Sequence, residues 1–280
     1  MVGIVDVGGG MRGVFSAGIY DCMLDKNFIP DYCIGVSAGS ANLASFISNQ
    51  RGRAYRFYSE YSQRKEYMSL DNFLKKGSYL DLDYIYHTLS ESHGEDPLDV
   101  DRIKSIATDF KIVSTEAETS KPVYFGKDDM DKDNLKVLGA SCCLPFFCKT
   151  IDIDGIKYFD GGVANPIPID KAFEDGCDKV IVVLTKPVDY KKEREHFLPL
   201  IKIALKDYPE IYKTITIRHE LYNDAVQKAL KYQEEGKAII IAPKTCYGVN
   251  TLTKDVDSLN KLYKEGYDMT AELFDKFAKS

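Results

Sequence analysis

Val2-Gly-Ile-Val-Asp6-Val-Gly-Gly-Gly10-Met-Arg-Gly13 decides the fold class, because it changes character twice within a few residues. Val2 to Val5 is a short β-rich run. Three consecutive glycines break it, and from Arg12 to Lys26 the apolar residues Phe15, Ile19, Cys22 and Met23 recur at helical spacing. Strand, glycine turn and helix follow one another directly. The pattern then repeats: Tyr32 to Val36 reads as a second strand, Gly35-Val-Ser37-Ala-Gly39 breaks it, and Ala38 to about Ser48 reads as a small-residue helix.

The alternation continues downstream. Asp81 to Ser90 and Leu135 to Cys142 read as helices, and Phe110 to Thr115 and Val123 to Phe125 as strands. Thr150 to Ile153 and Ile156 to Phe159 flank Asp154-Gly155, a hairpin signal that delivers the chain to Asp160. Lys179 to Leu184 is a continuous apolar run suited to a buried strand. Ile201 to Tyr232 and Asp255 to Lys279 read as long charged helices around one further strand, Ala238 to Ala242. This order predicts an α/β fold, a three-layer α/β/α sandwich with a mainly parallel central sheet and a helical C-terminal part. Residues 1–173 are expected to form the catalytic domain, and 174–280 a strand-plus-helix region that completes or packs on the sandwich.

Composition sets the limits. The 280 residues, 44% hydrophobic, suffice for one large α/β domain. A formal charge of −6 provides no global field for nucleic acid, so no nucleic-acid partner is expected. The seven cysteines lack the paired spacing of a metal site or disulfide framework. With no basic leader and no apolar run near the roughly 18 residues of a membrane helix, the expectation is a cytoplasmic protein needing no metal or cofactor.

Three motifs carry chemistry. Gly35-Val-Ser37-Ala-Gly39 fits the G-x-S-x-G nucleophile elbow, in which small neighbours permit a sharp strand-to-helix turn that exposes the serine oxygen. A structural Gly-Ser turn reads the same way. Gly8, Gly9, Gly10, Met11, Arg12 and Gly13 can turn several backbone N–H groups toward one point at a helix start, as an oxyanion needs. The same residues satisfy the dinucleotide fingerprint G-x-G-x-x-G, but the acidic residue expected at the end of the second strand is missing, and Asp31 precedes that strand. Asp160-Gly161-Gly162 offers a carboxylate on a tight loop, able to take the serine proton directly. A histidine triad would need His196 or His219, neither of which sits in a recognisable loop motif, and His87 and His93 read as structural.

Taken together and in this order, Gly8 to Gly13, Gly35 to Gly39 and Asp160 to Gly162 resemble the patatin-like phospholipase family over roughly residues 4 to 173. The resemblance implies a serine lipid acyl hydrolase with a Ser37–Asp160 dyad lacking histidine, and an oxyanion hole from the backbone of Gly8, Gly9, Gly10, Met11 and Arg12. It implies an acyl ester or phospholipid substrate, while the Arg- and Tyr-rich stretch 51–67 makes transient contact with a membrane surface an expectation. The alternative is a non-catalytic acyl-lipid or nucleotide-binding protein on the same fold. Ala140-Ser141 to Pro145-Phe146-Phe147 is similar to the family segment bordering the acyl site. The stretch from Arg218 to Asn223 is similar to a branch of patatin-like esterases. One departure is that Val7, not an acidic residue, immediately precedes the glycines, with Asp6 one place earlier. For the Arg- and Tyr-rich stretch 51–67, a headgroup-facing surface and a helix or lid covering the site both stay open.

Overall fold

The computed structural model describes residues 1–277. Eight strands form one mixed sheet: β1 (Val2–Asp6), β2 (Tyr32–Val36), β3 (Asp109–Glu116), β4 (Pro122–Gly126), β5 (Ile151–Ile153), β6 (Ile156–Asp160), β7 (Lys179–Val183) and β8 (Ala238–Ile241). Its centre is parallel in the order β3-β2-β1-β7-β8. The helices are α1 (Val14–Asp25), α2 (Ala38–Ile47), α3 (Arg53–Ser59), α4 (Leu70–Lys76) and α5 (Val100–Ser105), followed by α6 (Lys136–Ser141), α7 (Ile169–Glu174), α8 (Leu198–Ala204), α9 (Pro209–Glu234) and α10 (Val256–Phe277). Residue 278 onward of the expected last helix lies outside the described residues.

Alternation along the central strands separates two cores, because successive strand side chains point to opposite faces. Ile4, Cys33, Phe110, Ile181 and Val183 pack with Phe15 and Ile19 of α1, Leu43 and Phe46 of α2, and Leu259 of α10. Val5, Ile34, Val113, Val180 and Val182 pack on the other face with Ile169 of α7 and Val226 of α9. Strands covered on both faces need continuous apolar runs, which is what β2 and β7 have. The segment after residue 173 supplies β7 and β8 to this same sheet.

The register of β3 brings distant residues together. β2 pairs with β3 in parallel up to Val36 opposite Val113. β4 occupies the other edge of β3, opposite Lys111 to Thr115. The last residues of β3 therefore leave the β2 edge free, and β6 fills it antiparallel, with Asp160 opposite Ser114. Consecutive β3 residues thus hold the end of β2 and the end of β6 side by side. The β5–β6 hairpin turns on Asp154 and Gly155 with φ of 53° and 84°, the left-handed pair of a type I′ turn.

One expected element is divided. The helix read as continuous over 201–232 is two helices, α8 and α9, with Pro209 opening the second. Proline has no N–H to donate and clashes with the preceding turn, so it fits only the first turn of a helix.

α1 and α10 cross with their backbones in contact. A Cβ at Gly18 would lie 2.1 Å from Tyr263 O, and one at Gly266 would lie 2.1 Å from Phe15 O. The crossing is tied by Tyr263 donating to Asp21 at 2.7 Å. Mid-helix Gly→Ala normally stabilises by about 1 kcal/mol. Here Gly266→Ala is expected to destabilise by about 1–3 kcal/mol, because the helices must separate. Chemical denaturation measures the sign, and a stabilised variant contradicts the close crossing.

Candidate active site

Ser37 sits where β2 ends and α2 begins, with φ 57° and ψ −134°. This backbone region disfavours a side chain and costs about 1–3 kcal/mol, so surrounding bonds must hold it. Ser37 N–H donates to Ser141 Oγ at 2.9 Å, and Ser141 Oγ–H donates to Val113 O at 2.6 Å. The hydroxyls of Ser40 and Ser141 are 2.8 Å apart. Ser141 therefore anchors the turn to β3. The flanking glycines leave no room for side chains: a Cβ at Gly35 would lie 2.5 Å from Ser40 Cα, and one at Gly39 would lie 2.6 Å from Asp6 O.

Gly8, Gly9 and Gly10 take φ values of 62°, 131° and 61°, a run suited only to glycine. Gly8 N–H donates to Asp6 Oδ1 at 2.9 Å and Met11 N–H donates to Thr251 O at 3.2 Å. The N–H groups of Gly9 and Gly10 have no partner among the described residues. Arg12 folds back beside the loop, its Nη2 donating to Thr251 Oγ1 at 3.3 Å, while its Nε is buried and unpartnered. Gly13 lies under Tyr58, whose hydroxyl would be 2.4 Å from an added Cβ.

Asp160 is 2% exposed. Its Oδ1 accepts from Gly162 N–H at 2.7 Å, and its Oδ2 is buried without a partner. Gly161 packs on β3, where a Cβ would be 2.2 Å from Val113 O. Burial raises the Asp160 carboxyl above its ordinary range, against the opposing influence of the Ser37 hydroxyl, the Arg218 charge and the Gly162 N–H. Arg218 reaches in from α9, with Nε donating to Gly162 O at 2.7 Å.

Two cavities open on Ser37. One is mostly apolar, with Met11, Phe57, Met68, Leu82 and Leu138 in its wall. The other contains Ser37, Asp160 and the glycine loop. None of the four histidines lines either cavity. The side chain of His196 is 78% exposed beside Glu193, and His219 pairs with Glu220 at 3.6 Å. His87 pairs with Glu91.

The four arginines of the stretch 51–67 are all paired within the protein. Arg53 is buried against Asp96, Arg56 pairs with Asp96 at 2.8 Å, and Arg64 pairs with Glu95 at 2.6 Å. Phe57, Tyr58 and Tyr67 face the apolar cavity. Asp31 lies at the start of β2, accepting from Val2 N–H at 2.7 Å, so it is at the opposite end of the sheet from the glycine loop. Three contributors were weakly marked in sequence. Thr251 and Arg218 lie far along the chain, and Ser141 was visible only as part of the segment bordering the acyl site.

A family model described as patatin-like phospholipase matches residues 7–173, and a domain of unknown function (DUF6363) matches residues 208–280. The chain belongs to the patatin-like phospholipase family. The uncharacterized protein YjjU of Escherichia coli (strain K12) is 32% identical to this patatin-like chain over 192 residues. That match covers 66% of this chain and 52% of YjjU, so the chain spans about half the length of that curated relative. The crystal structure of VipD from Legionella pneumophila is similar with a TM-score of 0.47 and 13% identity, over 98% of this chain and 66% of that one. No helix of the described residues is long and apolar enough to cross a membrane.

Asp6 supports the patatin-like glycine loop from below, accepting from Gly8 N–H and, at 2.9 Å, from the Tyr20 hydroxyl. Burial outweighs these bonds and raises its pKa to about 6. A carboxyl with a raised folded-state pKa contributes stability below its unfolded value, and this is lost as pH rises through the folded value. Asp6 is thus expected to lower stability by on the order of 3 kcal/mol between about pH 4 and 6. Asp6→Asn, which keeps an acceptor for Gly8, should reduce that fall. Denaturation of both proteins across this range measures the difference, and parallel curves contradict it.

Proposed function

We propose that the protein is a serine lipid acyl hydrolase in which Ser37 is the nucleophile and Asp160 its base. The observation that carries this reading is the free, buried Oδ2 of Asp160 beside a serine held on a strained elbow. A buried acceptor left unpaired costs free energy, and a substrate-linked proton is what it lacks. The absence of histidine from both cavities supports direct transfer between serine and carboxylate.

Ser37 Oγ attacks the ester carbonyl carbon as its proton passes to Asp160. The tetrahedral oxyanion takes hydrogen bonds from the unengaged N–H groups of Gly9 and Gly10. Collapse breaks the ester C–O bond, and the alcohol leaves with the proton from Asp160. Water then attacks the acyl-serine, gives its proton to Asp160, and the released Ser37 oxygen recovers it. The raised Asp160 pKa makes its carboxylate a better base than an exposed one.

The apolar cavity suits an acyl chain. Contact with a lipid surface is supported by α4, whose Leu70, Phe73 and Leu74 are 73%, 47% and 81% exposed. This helix adjoins the cavity: Ser69 N–H donates to Tyr79 O and Tyr79 N–H to Phe147 O, while Met68 and Leu80 line the wall.

Hydrolysis of a short p-nitrophenyl ester tests the assignment. Ser37→Ala and Asp160→Asn should each lower kcat by at least about a hundredfold. The double substitution of His196 and His219 by alanine should leave it within about threefold. Because the ionised base is required, wild-type kcat/KM should fall on the acid side, with its limb above about pH 4. An essential histidine, or full activity in Asp160→Asn, contradicts the dyad.

A further inference from the structure

The second cavity holds more positive charge than the dyad requires. Arg12 from the glycine loop, Lys186 and Lys192 from the segment after β7, and Arg218 from α9 line it against two carboxylates, Asp160 and Glu195. Only Lys192 forms an ion pair among the described residues, with Glu195 at 3.3 Å. Lys186 instead lies 3.3 Å from the centre of the Tyr190 ring, and the Nε of Arg12 is buried without a partner. The segment is built rather than loose: Asn223 of α9 accepts from Lys192 N–H at 2.8 Å and donates to Lys192 O at 3.0 Å.

Half-buried cations that outnumber the carboxylates around them repel one another and are costly to keep charged. Burial first, with Arg12 and Lys192 adding to it, pushes the Lys186 ammonium down to about 8. Lys192 is lowered by burial and by Arg218, and Arg12 by burial. An anion in the chamber removes this repulsion. Arginine and lysine together on one wall suit phosphate oxygens, which accept several charge-assisted hydrogen bonds.

We propose that this chamber is a phosphate subsite, in which Arg12, Lys186, Lys192 and Arg218 receive the phosphate monoester of an acyl ester. The acyl chain lies in the apolar cavity and the carbonyl meets Ser37, which with Gly10, Leu144 and Thr251 belongs to both walls. The substrate assignment rests on the hydrolase reading above; the phosphate site itself does not. Three of the four cations come from the chain after residue 173, outside the segment that carries the nucleophile and base. This gives the C-terminal region a role in selecting the head group.

Calorimetry on the Ser37→Ala protein, which cannot turn substrate over, separates binding from chemistry. The ligands are 1-oleoyl-lysophosphatidate below its micelle concentration, 1-oleoylglycerol and inorganic phosphate. Lysophosphatidate should bind at least about tenfold more tightly than oleoylglycerol. Adding Lys186→Met and Lys192→Met should abolish the preference, whereas Lys186→Arg with Lys192→Arg should keep it and control for folding. Inorganic phosphate weaker than lysophosphatidate assigns the site to a lipid head group, and equal binding assigns it to a free phosphate; both outcomes keep the phosphate site. Equal affinity for the charged and neutral lipids, or a preference that survives the methionine pair, overturns it. Wild-type turnover of both lipids without preference would leave the hydrolase standing while the subsite fell, and phosphate binding without turnover would do the reverse.

Discussion

The edge that β3 offers to two different strands is the constraint on which the site depends. β2 runs out at Val36, opposite Val113, and the next residue along, Ser114, is opposite Asp160. A parallel neighbour and an antiparallel one thus meet end to end on a single strand, and the chain leaves the sheet at both ends of that junction. Ser37 turns into α2, and Asp160 turns into the Gly161-Gly162 loop. Two residues more than a hundred positions apart are brought together by backbone pairing alone, before any side chain contributes. Ser141 then secures the junction by bonding both Ser37 N–H and Val113 O.

Polar groups are concentrated at this junction against the tendency of burial to exclude them. Asp6, Asp160 and Arg12 are each withdrawn from water, and each shifts toward its neutral form. Asp6 is compensated by Gly8 N–H and Tyr20, and serves the loop above it. Asp160 and Arg12 each retain one buried atom without a partner. Such vacancies cost stability in the resting protein and are suited to a ligand that completes them. The expected donors of the glycine loop divide in the same way: Gly8 and Met11 are engaged internally, while Gly9 and Gly10 are not.

The sandwich and the two loops were legible because they rest on local signals. Glycine runs, apolar runs of strand length and the Asp154-Gly155 turn each reflect backbone preferences that tertiary context did not override. The division at Pro209 was missed, because the charged helical pattern continues through it and masks the break. α4 and α5 escaped notice because seven and six residues give little periodicity, and these two are interrupted by charges, unlike the equally short but uncharged run after Lys136 in α6. α4 also exposes its apolar residues instead of burying them. Thr251, Lys186 and Lys192 carry no motif, and Arg218 was marked only as part of the stretch similar to an esterase branch; α9 brings it to the site by packing on β8 and the Gly161-Gly162 turn. Only the three-dimensional arrangement distinguishes them from ordinary surface charge.

Reactivity at a single oxygen is the most direct measure of the account. Treating the folded protein with a fluorophosphonate and mapping the adduct by peptide mass spectrometry asks whether Ser37 is an activated nucleophile, whatever its natural substrate. The account predicts one stoichiometric adduct on Ser37 that is lost in Asp160→Asn. An adduct on another residue, or a folded protein that does not react, would contradict it.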